Sequence, residues 1–148
     1  MKRNILLRLI NLWPPFLGAG IRVSRTGPDQ NEFVVRMKLR RWNANYVGTQ
    51  YGGSLYSMCD PFYMLILIHE LGPGYVVWDK SATIRFIRPG RGMVTARFAI
   101  PADEIERIRA IVDETGRHEP VFVVQVTDDQ GEPVAEVEKT LSVRRRRE

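Results

Sequence analysis

Apolar and polar positions change period several times along the chain, and each change predicts an element. Ile5, Leu6, Leu9, Ile10 and Trp13 recur at helical spacing and predict a helix over about residues 3–13. The basic start and apolar run resemble a leader, but Arg8 interrupts the run and it is too short to span a bilayer. Its apolar face suits packing on the core or on a partner chain; a membrane surface or an acyl group is the alternative. Pro14-Pro15 is expected to end this helix. Gly20–Ser24 reads as a short strand and Thr26-Gly27-Pro28-Asp29 as a turn. Glu32–Leu39 carries Phe33, Val34, Val35, Met37 and Leu39, with Arg36 and Lys38 alternating late, and reads as a strand. Residues 40–52 form a loop rich in Asn and Gly.

Gly53–Leu71 is apolar around nearly its whole circumference, which predicts a buried helix, stopped by Gly72-Pro73-Gly74. Tyr75–Arg88 and Met93–Ile100 read as strands of a hairpin about Pro89-Gly90-Arg91-Gly92. Pro101 opens a short helix with Ile105, Ile108, Ile111 and Val112 on one face, closed by Gly116. Pro120–Thr127 and Pro133–Val143 are strands about Asp128-Asp129-Gln130-Gly131. The last strand alternates Val134, Glu136, Glu138 and Thr140 against Ala135, Val137, Lys139 and Leu141. Strands joined by tight turns are antiparallel. A helix apolar on all sides needs a sheet around it, so the predicted class is α+β.

A length of 148 residues predicts one domain with a core of useful size. The net charge of +5 is uneven: Arg144–Arg147 with Glu148 supply +3, leaving +2 for residues 1–143. That balance argues against a duplex-binding body. The basic tail, 144–148, solubilises the C-terminus or meets phosphates non-specifically. Cys59 is the only cysteine, so no intrachain disulfide forms, and a reduced, cytoplasmic setting is compatible. His69 and His118 lie far apart and flank no cysteine pair, so no metal site is expected.

Candidate chemistry concentrates in Asn45–Asp60. Gly52-Gly53 leaves backbone N–H groups uncovered where a helix begins, and such groups attract developing negative charge. Asp60 adds a carboxylate near that end. Backbone donors beside an acid suit hydrolysis of an activated acyl group. Asp60 is the candidate general base or orienter of water; Asp60-Pro61 is equally a good helix N-cap followed by proline. Ser57 lies one turn before Asp60 and is placed to share its hydrogen bonds or to bond back to the carbonyl of residue 53 or 54. Asn45 is placed to originate an Asx turn that stabilises its loop. Cys59 lacks a histidine partner and reads as a small core residue.

This order of elements, with Gly52-Gly53 and Asp60 at their spacing, resembles the hotdog-fold acyl-CoA thioesterase superfamily. The likeness is to phenylacetate-pathway-type thioesterases and a related thioesterase-like group. It covers about residues 20–143, and Ile84–Ala96 is similar to the family's long central hairpin. The resemblance implies an antiparallel sheet wrapped around a long central helix, here with an extra N-terminal helix. It also implies acyl-CoA hydrolysis in a homodimer or homotetramer, with sites assembled where two chains meet. Asp60 would activate water while Gly52 and Gly53 polarise the thioester carbonyl, and Asn45 would bind the water or the thioester. Leu55, Met58, Phe62 and Tyr63 would line the acyl group, and Arg85, Arg88 and Arg91 are candidates to meet coenzyme A phosphates. Coenzyme A enters as part of the substrate, and no separate cofactor is expected. Many phenylacetate-type members carry His before the glycine pair, where this chain has Tyr51. A phenol donates a hydrogen bond or positions water but is a poor base near neutral pH. Tyr51 therefore keeps a second function open, a binding module for acyl-CoA or a fatty acyl group. A scaffold without ligand is a third.

Overall fold

The protein is described by a computed structural model over residues 8–147. Part of the predicted 3–13 helix, with Ile5 and Leu6, lies outside those residues. Ile10–Leu12 form a single 3-10 turn. Ile10 packs on the core, whereas Leu9 and Trp13 are exposed. Pro14-Pro15 does not end a helix. It begins one, α1 (Pro14–Ala19), which buries Phe16 and closes on Gly20 in the left-handed region at φ 78°. The first N–H groups of a helix have no intrahelical acceptor, so proline forfeits nothing there.

Seven antiparallel strands follow: β1 (Ile21–Thr26), β2 (Glu32–Lys38), β3 (Tyr75–Phe86), β4 (Met93–Phe98), β5 (Arg117–His118), β6 (Val121–Thr127) and β7 (Pro133–Arg145). The sheet order is β1-β2-β4-β6-β7-β3, with β5 paired to β7. Alternation sets one buried face. Val23, Val35, Ala96, Val126 and Ala135 are successive cross-strand partners from β1 to β7, and all are buried.

The hairpin expected about Pro89–Gly92 is not made, because β6 and β7 separate β3 from β4. Hydrogen bonds carry the connection across the end of the sheet instead. Ile87 N–H donates to Val134 O (2.8 Å), Gln50 N–H to Gly90 O (3.0 Å) and Leu39 N–H to Gly92 O (2.8 Å).

The apolar segment expected as one helix is two, α2 (Gly52–Ser57) and α3 (Phe62–Leu71). Pro61 has no N–H to continue the ladder, so α2 ends and α3 starts afresh after it. Together they supply the central helical layer of the α+β fold. Phe62 opens α3 in full burial, its ring centroid 5.1 Å from Phe33 and 4.9 Å from Phe98. α4 (Ala102–Thr115) buries Ile105, Ile108 and Val112 and ends on Gly116 at φ 86°. The interruption between α2 and α3 has one consequence for chemistry: it leaves Asp60 on an irregular turn between two helices.

Candidate active site

Lys139 stands on the apolar face of β7, between Val137 and Leu141, and is 1% exposed. A buried ammonium needs partners, and three surround it. Its Nζ lies 3.2 Å from Asp60 Oδ1, 3.1 Å from Asp79 Oδ1 and 3.1 Å from Tyr56 Oη. The Tyr56 hydroxyl donates to Asp60 Oδ1 at 2.9 Å. Asp79 reaches the cluster by strand alternation: it lies two residues after Val77 and is the register partner of Leu141, so it shares their inner face, and the β3–β7 register shifts only after it, between Asp79 and Ser81.

The cluster leaves Asp60 with two unlike oxygens. Oδ1 accepts from Tyr56 and Lys139, while Oδ2 has no hydrogen-bond partner among the described residues. The side chain is 47% exposed, so the unbound oxygen is within reach of water. Burial alone would push the Lys139 ammonium down. Its hydrogen bond to Tyr56, its close pairing with Asp79 and the charges of Asp79 and Asp60 outweigh burial and hold it above its ordinary value. Burial pushes the Asp79 carboxyl up further than Lys139 pulls it down. Burial also raises the Tyr56 phenol.

α2 begins beside this cluster in sequence. Tyr51 O accepts the first helical bonds, from Ser54 and Leu55 N–H at 3.0 Å each, so the Gly52 and Gly53 amides precede the ladder. Both glycines are sites of close approach. A Cβ on Gly53 would stand 2.6 Å from Tyr51 Cε1, and one on Gly52 would stand 3.0 Å from Phe86 Cε1. Next to them lies a cavity of about 400 Å³ lined by residues that include Asn45, Thr49, Gly52, Leu55, Phe86 and Arg88.

The remaining candidates separate. Asn45 stitches its loop: Oδ1 accepts from Val47 and Thr49 N–H (3.1 and 2.9 Å), and Nδ2 donates to Thr49 Oγ1 (2.9 Å). The Ser57 hydroxyl donates to Gly53 O (2.9 Å) rather than to Asp60, and Tyr56 holds Asp60 instead. Met58, Phe62 and Tyr63 are packed in the core, so only Leu55 of the four expected acyl contacts lines the cavity. Phe62 and Tyr63 open α3 after the break at Pro61 and are buried there, and Met58 is buried at the end of α2. Arg88 reaches the cavity, Arg85 pairs with Glu136 (2.9 Å), and Arg91 is exposed on the connection. Cys59 is buried, and burial pushes its thiol up to about 12. No group of three or more metal-ligating side chains occurs among the described residues, and none of their helices is long and apolar enough to cross a membrane.

Sequence reasoning passed over Tyr56, Asp79 and Lys139. The signal for Lys139 was present, since a lysine falls on the apolar parity of the last strand. Asp79 gave a signal of the same kind, an acid on the parity of Val77 in β3.

Comparison with known proteins fixes the family. The profile of the family described as "Domain of unknown function (DUF4442)" matches residues 2–143. The chain belongs to the DUF4442 family. No curated protein matches it. Solved structures share its fold. A Pseudomonas aeruginosa protein, PA5026, described as of unknown function and a probable thioesterase, superposes with TM-score 0.84 at 24% identity, covering 97% of this chain and 95% of that one. Thioesterase HI1161 of Haemophilus influenzae gives 0.67 at 17% identity, covering 94% and 88%. A mutant form of the phenylacetic acid degradation protein PaaI of Thermus thermophilus gives 0.59 at 24% identity, covering 87% and 97%. This DUF4442 chain has the hotdog fold, an antiparallel sheet about a central helical layer.

Proposed function

We propose that the protein hydrolyses acyl-CoA thioesters, with Asp60 as the residue that activates water. The carrying observation is the pinned carboxylate: Oδ1 is held by Tyr56 and Lys139, and Oδ2 is unpartnered at a half-exposed position. A carboxylate held through one oxygen keeps one orientation, which suits aiming a water and accepting its proton. Hydroxide adds to the thioester carbonyl carbon, the C–S bond then breaks, and the departing coenzyme A thiolate takes up the proton Asp60 received. The free amides of Gly52 and Gly53 are the candidate donors to the carbonyl oxygen, and Tyr51 stands over them as a further donor. The cavity beside Leu55 and Phe86 is the candidate acyl pocket. The descriptions of PA5026 and HI1161 as thioesterases point the same way.

The reading extends to a homodimer or homotetramer in the cytoplasm. β3 supports the assembly: it is a 12-residue edge strand paired only to β7 among the described residues, with Trp78 and Phe86 exposed.

Thiol release from short, long and aromatic acyl-CoAs tests the reading, with wild type and Asp60→Ala side by side. Turnover that vanishes in the variant is expected. No turnover on any ester, combined with coenzyme A-dependent thermal stabilisation of both forms, would favour the binding module that Tyr51 keeps open.

A further inference from the structure

We infer that the basic end of β7 forms a second binding site, for a small, multiply charged phosphate compound such as a polyphosphate or a nucleotide diphosphate. It goes beyond the thioesterase reading and shares no residue with the Tyr51–Asp60 site. The arginine run lies beyond the family match, which ends at Val143.

The run continues β7 through Arg145 and is held on both sides. Arg144 is the register partner of Arg117 on β5 and of Val76 on β3. Arg145 N–H donates to Gly116 O (3.2 Å) and Arg146 N–H to Gly74 O (2.9 Å). The Arg146 guanidinium donates to Pro73 O (2.8 Å), and that of Arg145 pairs with Asp113 (2.7 Å) and stacks near Tyr75. These contacts fix the positions of the arginines in advance, which lowers the ordering cost of binding.

Between the tail and the turn at Gly116 lies a cleft of about 600 Å³, lined by Val76, Thr115, Gly116 and five arginines: 117, 144, 145, 146 and 147. Among the described residues no carboxylate lines it. Among the described residues Arg117 and Arg144 make no ion pair, although like charges opposite one another repel. Asp113 and Glu119 are engaged by Arg145 and Lys80, and Asp79 and Glu119 line a separate cleft with Arg117 and Arg144. Guanidinium groups fit phosphate oxygens bidentately, and five line this cleft. The volume suits a small molecule, which a cleft encloses better than a broad surface does. The cleft lies about 17 Å along β7 from Lys139, at about 3.3 Å per residue over five residues.

Thermal stability in 150 mM salt tests the site, with tripolyphosphate, ADP and phosphatidylglycerol vesicles as separate probes. The variants are Arg117→Gln/Arg144→Gln and, as control, Arg22→Gln/Arg36→Gln, a second cross-strand arginine pair on β1 and β2. The expected result is a rise in Tm of about 5 °C or more with saturating tripolyphosphate or ADP. That rise is lost in the first variant and kept in the control. No rise, or equal loss in both variants, would overturn the site and leave diffuse charge. Binding to vesicles with no response to the soluble compounds would overturn it in favour of a lipid surface.

Discussion

Replacing Lys139 with methionine removes the ammonium at the centre of the candidate site while keeping a long, unbranched side chain. Asp79 then loses its counter-ion at a position where burial already pushes its carboxyl up, and its Oδ1 has no hydrogen bond. Removing one partner of a buried pair costs about 3–5 kcal/mol. The Asp60 carboxylate is 47% exposed and rehydrates, and Asp79 is 27% exposed, so the low end applies, about 3 kcal/mol. For a chain of this length that lowers Tm by about 6–12 °C. The fold survives, given a total stability of about 5–15 kcal/mol. Adding Asp79→Asn removes the uncompensated charge and returns a large part of the loss, because the two sites share one interaction. Urea unfolding of the wild type, both single variants and the double variant measures the coupling. Additive losses, or a Lys139→Met cost under about 1 kcal/mol, would refute the buried charge network.

Three further outcomes follow from the same geometry. The raised Lys139 value means that its contribution is full below the unfolded lysine value, about 10.4, and is lost as pH rises through the higher folded value. Stability curves of wild type and Lys139→Met therefore converge above about pH 10.4, and curves that stay parallel to pH 12 would contradict the assignment. Gly53→Ala forces the Tyr51 ring aside and lowers kcat/KM on the best acyl-CoA at least about 10-fold, equivalent to about 1.4 kcal/mol; Tyr51→Phe, which keeps the ring and removes the hydroxyl, tells donation from packing. Native Cys59 resists a thiol-reactive probe at pH 8 and reacts on unfolding, because the thiol is buried and raised to about 12; rapid native labelling would show that α2 opens.

Period and punctuation made much of the fold legible. The β6–β7 hairpin, the one-sided helix before Gly116 and the α+β class all follow from apolar spacing and turn residues. The errors fell where pairing and proline position override local pattern. Pro14-Pro15 starts a helix because proline is neutral in a first turn. Tyr75–Phe86 and Met93–Phe98 look like a hairpin, yet hydrogen bonds of the Ile87–Gly92 connection carry the chain past two strands. Pro61 made a break foreseeable, but only the structure shows that α3 restarts after it and leaves Asp60 outside both helices. At the site, the Gly52-Gly53 and Asp60 spacing was readable. The surroundings of Asp60 were not: Lys139 is 79 residues away along the chain, and Asp79 joins from β3 through Lys139.

The most direct test of the central claim is kcat/KM for the best acyl-CoA with wild type and Asp60→Asn, paired with the Tm of each. Asn keeps the shape and the contact with Tyr56 but removes the negative charge that accepts a proton. Hydrolysis reduced by about 100-fold or more, with Tm changed by only a few degrees, is the predicted result. Turnover near the wild-type rate in a folded Asp60→Asn protein would contradict it, since the held carboxylate would then do no chemistry.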